Sequence, residues 1–280
     1  MPMNADTVVQ SEAPLQPHYI PENLVGLEDQ KASINTIIEE SGSGSVQHLF
    51  LHGPRGTGKT HLTQHCLESA PTSKTPIYID CRTTNTQYKA LQKIFGTFAR
   101  EEPAPGYHSS KLKRDIDTHL QSQPAVIVLD EIDFLIMNDG DDLLYTLSRL
   151  KARENLRLIL ISSGTEDPLA QLDPRTQSSL NYQRQVIEPY PADTIYQILQ
   201  QRAQAALEPR SLRHDALTYI AASAPNAAVA IHWLKETAND ATGAITEPVA
   251  RQTREDAISA YQATLLDRFT DPHERLYHVI

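Results

Sequence analysis

At 280 residues and 31.2 kDa, the chain has ample material for one large domain or two small ones, each with its own core. It is 40% hydrophobic and 21% charged, and no run of about 18 apolar residues is present, so hydropathy excludes a helical membrane span. A net charge of -10 argues against a generally basic nucleic-acid binder and leaves room only for a local basic face. The N-terminus has no basic stretch followed by an apolar one, so no secretion signal is expected. Cys66 and Cys81 are too few and too far apart for a metal framework, and two thiols suit a reducing, cytoplasmic setting.

Residues 1–17 are polar, proline-containing and aperiodic, and read as a disordered leader. Tyr19 to Glu28 (YIPENLVGLE), with Val25 inside it, precedes a helix whose apolar stripe is Leu27, Ile34, Ile37 and Ile38. The segment either closes over the base of a nucleotide or simply packs as an N-terminal arm. Ser41 to Ser45 (SGSGS) is a flexible connection into a strand, His48 to His52.

That strand runs into Gly53 to Thr60, GPRGTGKT, and a helical run follows, which is G-x-x-x-x-G-K-[ST] in its expected context. Gly53, Gly56 and Gly58 let successive N–H groups turn toward phosphate oxygens, and the next helix adds the positive end of its dipole. Lys59 supplies a point charge for the β- and γ-phosphates, and Thr60 a hydroxyl for Mg²⁺. The expected ATP or ADP contacts are therefore Gly53, Pro54, Arg55, Gly56, Thr57, Gly58, Lys59, Thr60 and His61, with Val25 from the preceding segment. His61 and His65 stand i, i+4 on the helix, but no third ligand lies nearby in sequence, and a solvated face is the simpler reading.

Thr75 to Asp80 reads as a second strand, and Asn85 to Phe98 as a helix with Tyr88, Leu91, Ile94 and Phe95 inward. Between Lys89 and Arg114 six cations (Lys89, Lys93, Arg100, Lys111, Lys113, Arg114) face two anions (Glu101, Glu102), a local excess of four in an acidic chain. This stretch is either a solvated helix face or a contact for a phosphodiester backbone. Ala125 to Asp133 (AVIVLDEID) then gives an apolar strand of the doubly buried type with carboxylates at its C-terminal end, where α/β sheets bind ligands. Asp130 is placed to hold the Mg²⁺ shell. Glu131 is the group to orient and polarise the attacking water, since phosphoryl transfer chiefly requires positioning and charge compensation.

A turn and a helix with Leu143, Leu144, Leu147 and Leu150 buried follow, then a strand at Arg157 to Ser162, after which Ser163 is placed to touch water or the γ-phosphate. Gln185 to Glu188 supplies a last strand before Pro189 and Pro191. From Ala192 onward the strand pattern disappears, and Thr194 to Ala206, Arg213 to Ala222, Ala227 to Ala238 and Arg254 to Arg268 read as amphipathic helices. The organisation expected is a leader (1–17), an α/β nucleotide domain (18–190) with a multi-stranded parallel sheet, and a helical domain (191–270).

With this order established, the sequence resembles the AAA+ superfamily, and within it the archaeal replication initiators related to origin-recognition and helicase-loading proteins. Beyond the nucleotide motifs, the resemblance rests on Tyr19-Ile20-Pro21-Glu22, Cys81 to Leu91, Gly140 to Arg149, Leu172 to Leu180 and Pro189-Tyr190. It implies a P-loop NTPase domain with a five-stranded parallel sheet, a small all-helical lid, binding of ATP and Mg²⁺, and contact with origin DNA partly through the basic region. It also implies that Arg175, in LDPR, senses phosphate charge across a subunit or domain boundary, the alternative being a salt bridge that fixes its loop.

Three departures stand out. Ser163 occupies the place of a sensor asparagine, and Ala228, in Pro225-Asn226-Ala227-Ala228, that of a sensor arginine, so slow hydrolysis is expected. Residues 271–280 resemble only the opening of a winged-helix domain. The sequence therefore supports a slow ATPase that makes weak contact with double-stranded DNA. The alternative is a nucleotide-dependent module that regulates full-length initiator paralogues without binding DNA itself.

Overall fold

The computed structural model describes residues 8–40, 47–104, 106–164 and 166–266. Its strands are β1 (His48–His52), β2 (Thr75–Asp80), β3 (Ala125–Asp130), β4 (Leu156–Ser162) and β5 (Tyr182–Val186). Its helices are α1 (Glu28–Glu39), α2 (Lys59–Glu68), α3 (Gln87–Ala99), α4 (Ser109–Ser122), α5 (Ile132–Asp139), α6 (Asp142–Ser148) and α7 (Pro174–Ser179), then α8 (Ala192–Ala206), α9 (His214–Ser223), α10 (Ala227–Asp240), α11 (Glu247–Gln252) and α12 (Arg254–Leu266). The chain divides into two compact units. One is Asp29–Pro54 with Leu62–Ile187; the other is the described part of Met1–Glu28, Arg55–His61 and Glu188–Ile280.

The first unit is built on a five-stranded, all-parallel sheet in the order β2-β3-β4-β1-β5. β1, β3 and β4 are buried along their whole length and are correspondingly apolar, as strands covered on both faces must be. β2 and β5 are the edges; β2 buries only Ile77 and Ile79, and no residue of β5 is buried. The edge position explains a displaced expectation: the last strand is Tyr182–Val186 (YQRQV), not residues 185–188, because a half-exposed edge strand has no apolar run to mark it. Asp80 stands level with Asp130, Asp130 with Ile161, and Ile161 with Leu51, so the C-terminal ends of these strands form one edge of the sheet.

Two polar side chains in the buried strands bond to backbone. The Nδ1 of His48 accepts the Leu158 N–H at 3.1 Å, and the Arg157 guanidinium donates to the carbonyls of Glu154, Leu156 and Glu40 at 2.9, 3.1 and 2.7 Å. Helix α3 is capped by the Thr86 hydroxyl, which accepts the Lys89 N–H, and it buries Leu91, Ile94 and Phe95. Tyr88 differs from expectation. It is exposed, and its hydroxyl donates to the Tyr107 carbonyl at 2.9 Å. Helix α4 was not anticipated, although Leu112, Ile116 and Leu120 recur at helical spacing and are all buried.

The second unit is helical, as expected. Trp233 is completely buried at its centre and donates its indole N–H to the Ala250 carbonyl at 2.9 Å. For residues 8–17 the unit also corrects the reading of 1–17 as a disordered leader. Val8 and Leu15 are buried in the helical core, a short 3-10 turn covers Ala13–Leu15, and Val9 forms a bridge with Leu207. Arg202, itself buried, donates to the Pro14 carbonyl at 2.8 Å and lies over the Tyr19 ring. A few well-placed apolar residues order this segment despite its polar composition. Residues 1–7, the SGSGS connection and the 271–280 stretch lie outside the described residues.

Candidate nucleotide site

The phosphate loop leaves the C-terminal end of β1 and ends where α2 begins at Lys59. Its backbone demands glycine. Gly56 and Gly58 have φ of 78° and 82°, a left-handed conformation that side chains resist. At Gly53 a Cβ would stand 2.1 Å from the Ile187 carbonyl oxygen, where continuation of the β1–β5 ladder brings the two backbones together. Thr57 and Lys59 are buried, and the Lys59 ammonium donates to the Thr57 hydroxyl at 3.3 Å.

Within the helical unit, the loop is lined by residues that the sequence reading did not single out individually. A Cβ at Gly56 would meet the Asn226 side chain at 2.5 Å, and one at Gly58 would meet the Tyr190 hydroxyl at 2.8 Å and Leu27 at 3.1 Å. The segment containing Val25 is thus brought beside the loop through Leu27, while Val25 itself is half-buried. Asn226 is the N-cap of α10, its Oδ1 accepting the Val229 N–H at 3.0 Å, and Ala228 lies in the first turn behind it. An N-cap asparagine is readable from sequence; its approach to a distant glycine is not. The His61 ring donates to the Pro17 carbonyl at 2.6 Å, and His65 accepts from Lys31 at 3.0 Å, so each ring has its own partner.

The acidic edge belongs to the α/β unit. Asp130 is buried at the end of β3. Its Oδ2 accepts the Tyr78 hydroxyl and its Oδ1 accepts the Glu131 N–H at 3.0 Å. Burial, reinforced by the Asp130 carboxylate, pushes the Tyr78 phenol far up, so it stays a donor and fixes the carboxylate's orientation. Glu131 turns the chain into α5 with φ 55° and ψ 50°. A non-glycine residue held there costs on the order of 1–3 kcal/mol, strain of the kind that collects at functional sites.

Three further carboxylates, Asp80, Glu131 and Asp133, join Asp130 around the buried Cys81. Its thiol is pushed well above its usual range, first by burial and then by these four charges. Burial raises Asp80, but the Arg82 side chain, bonding at 2.9 and 2.6 Å, outweighs it and holds the carboxyl low. Asp133 is raised by burial. Its Oδ1 accepts the Ser162 hydroxyl at 2.9 Å, while its buried Oδ2 has no hydrogen-bond partner among the described residues. The next residue, Ser163, is half-buried. Among the described residues no three His, Cys, Asp or Glu side chains converge as a metal site. A divalent cation here would thus rely on phosphate oxygens and water beside the protein ligands, as Mg²⁺ ordinarily does.

Arg175 lies in the first turn of α7. Its side chain is 81% exposed and pairs with Asp173 at 3.1 Å across the start of α7, the loop-fixing arrangement. On α4, Lys111 and Arg114 are exposed, with Lys111 over the Tyr107 ring at 4.0 Å. The acids of the same helix are engaged elsewhere. Asp115 accepts the Tyr107 hydroxyl at 3.1 Å and Asp117 the Ala152 N–H at 2.9 Å.

Residues 43–167 match the family model described as an AAA domain. The ORC1-type DNA replication protein 1 of Methanosarcina mazei is 34% identical over 220 residues, which make up 73% of this chain and 52% of that protein. The chain thus spans about half the length of the curated relatives it matches. In fold it is similar to the Aeropyrum pernix ORC1 protein solved in complex with DNA (TM-score 0.79, 24% identity, covering 94% of this chain and 73% of that one). It is also similar to the A. pernix ORC2 protein solved as ADPNP-ADP complexes (TM-score 0.76, 18% identity, covering 89% and 72%).

Proposed function

We propose that the chain is an AAA+ protein related to archaeal ORC1-type replication proteins, a slow ATPase that contacts double-stranded DNA through its α/β unit; the AAA-domain match over residues 43–167 and the similarity to those proteins support this reading. The observation that carries this reading is the phosphate loop. Two left-handed glycines, a third glycine pressed against a carbonyl and a buried lysine are retained together at the end of β1. A loop without a ligand to accommodate would have little reason to keep all four.

In this reading the backbone of residues 53–60 cradles the phosphates, Lys59 neutralises the β- and γ-phosphates, and Leu27 and Val25 face the base. Thr60 and Asp130 hold Mg²⁺. The buried, donor-oriented Asp130 carboxylate and the unpartnered Asp133 oxygen fit a cation at this edge. Bound Mg²⁺ supplies charge neutralisation across the phosphate chain. Glu131 orients the attacking water and accepts its proton. Ser163 can bond that water but lacks an amide, and Ala228 brings no guanidinium, so turnover is slow. Arg175, exposed at the start of α7, is available to the phosphates of a neighbouring molecule.

DNA contact is assigned to α4. Its acids are bonded to neighbouring groups, so Lys111, Lys113 and Arg114 dominate its charge. Fluorescence anisotropy of a labelled duplex across a salt series, with ATP, ADP and no nucleotide, tests this. Binding should strengthen with ATP, weaken with salt, and fall by about an order of magnitude in Lys111→Glu/Lys113→Glu, with a shallower salt slope. Unchanged binding in that variant would remove α4 from the contact. No binding by the wild type at low salt would favour the second reading, a nucleotide-dependent partner of full-length initiator paralogues.

A further inference from the structure

The start of β1 carries a second site, independent of the nucleotide reading. His48 opens the strand, about 15 Å from the phosphate loop that follows the strand's other end. Its side chain is 2% exposed, and its Nδ1 accepts the Leu158 N–H. That bond fixes the tautomer of the neutral ring, with the proton on Nε2. This Nε2 has no hydrogen-bond partner among the described residues, and the ring forms part of the wall of an open cleft of about 350 Å³.

The rest of the wall supplies cations and no carboxylate. Arg149, just past α6, and Arg153, in the turn before β4, both line the cleft. The Arg149 guanidinium lies 5.5 Å from the Tyr145 ring, and neither arginine has a carboxylate within ion-pair distance among the described residues. Beneath them lies the completely buried Arg157, whose charge adds to burial in lowering the His48 imidazole to about 4. The Ser148 and Ser179 hydroxyls lie 2.7 Å apart, and the Tyr145 and Thr176 carbonyls are within reach of one each, so one serine donates to the other and the second to its own carbonyl, and the pair braces the wall. Ser178 and Asn181 complete the wall, and the donors that come to this space from separate elements include one imidazole N–H and two guanidinium groups.

We propose that this cleft binds a dianionic phosphate group, either free phosphate or a terminal phosphomonoester. A carboxylate has two coplanar oxygens and is satisfied by a single arginine fork. A tetrahedral oxyanion offers acceptors in several directions and matches donors that approach from β1, α6 and the turn before β4. The imidazole N–H, on a ring whose other nitrogen is already engaged, is left to donate into the cleft and acquires an anionic acceptor there.

The test is a titration of the full chain, carrying isotope-labelled histidine, with inorganic phosphate, while the His48 ring resonance, assigned through its contact with the Leu158 amide, is followed. The expected result is a saturable shift that sulfate reproduces and chloride at matched ionic strength does not. In Arg149→Gln/Arg153→Gln, both exposed positions whose replacement leaves the core intact, affinity should fall about tenfold or more. Adenosine monophosphate in a parallel titration separates the sources: tighter binding than phosphate identifies a phosphomonoester site, and weaker binding a site for the free ion. The proposal is overturned if phosphate leaves His48 unmoved, if chloride moves it equally, or if the double variant binds as the wild type does.

Discussion

The two ends of a single parallel sheet carry opposite chemistry. At one end, β2 and β3 finish on Asp80 and Asp130, with Glu131 and Asp133 just beyond. At the other, His48 begins β1 near Arg149, Arg153 and Arg157. A five-residue strand separates these regimes. An acidic edge repels a polyphosphate, so an anion held there needs a divalent cation to offset the charge. The basic end needs no such offset and suits an anion directly. The contrast shows how directional a parallel sheet is, since every strand delivers the same terminus to the same edge.

The largest expected effect falls at the acidic edge. Glu131→Gln keeps the side chain's size and removes its basicity. Turnover should drop about 10²- to 10⁴-fold while ATP stays bound, as read by single-turnover hydrolysis beside equilibrium binding. Unchanged turnover would take Glu131 out of the mechanism.

A pH series would sharpen the contrast through stability. His48 is held neutral in the fold, lowered from 6.5 to about 4. Between those values the unfolded chain binds a proton that the native chain does not, so its contribution is present above pH 6.5 and is lost as pH falls toward 4. The gap is worth about 3 kcal/mol. Asp133 acts in the opposite sense. Its carboxyl is raised by burial, so its contribution is present at low pH and is lost as pH rises through its folded value. Denaturant unfolding at pH 7 and pH 4 should show a clearly smaller acid loss in His48→Gln than in the wild type. An equal loss in both would refute the linkage. The smallest effect is the roughly tenfold loss of phosphate affinity expected at the basic end when Arg149 and Arg153 are neutralised.

What the sequence made legible follows from local chemistry. The phosphate loop, Asp130 and Glu131 stood out because glycine spacing, a lysine and carboxylates after an apolar run are contiguous signals. β1, β3 and β4 stood out because strands buried on both faces are apolar throughout. The edge strand β5 was displaced because none of its residues is buried and it carries no apolar run, and α4 was hidden by its many charges. The roles of Tyr78, Ser162 and Asn226 were not legible for a different reason. Each acts on a residue far away in the chain, Asp130, Asp133 and Gly56 respectively, and no local pattern encodes such a pairing. The ordering of residues 8–17 was missed because Val8, Leu15 and the carbonyl of Pro14 find partners only in the folded helical unit.

The most direct test of the account is equilibrium binding of ATP to the wild type and to Lys59→Ala, with circular dichroism confirming that both are folded. The account predicts saturable binding by the wild type and a loss of affinity of about tenfold or more in the variant, since a charge-assisted contact to phosphate is removed. Equal affinity in the two proteins would show that the loop from Gly53 to Thr60 is not where the nucleotide sits.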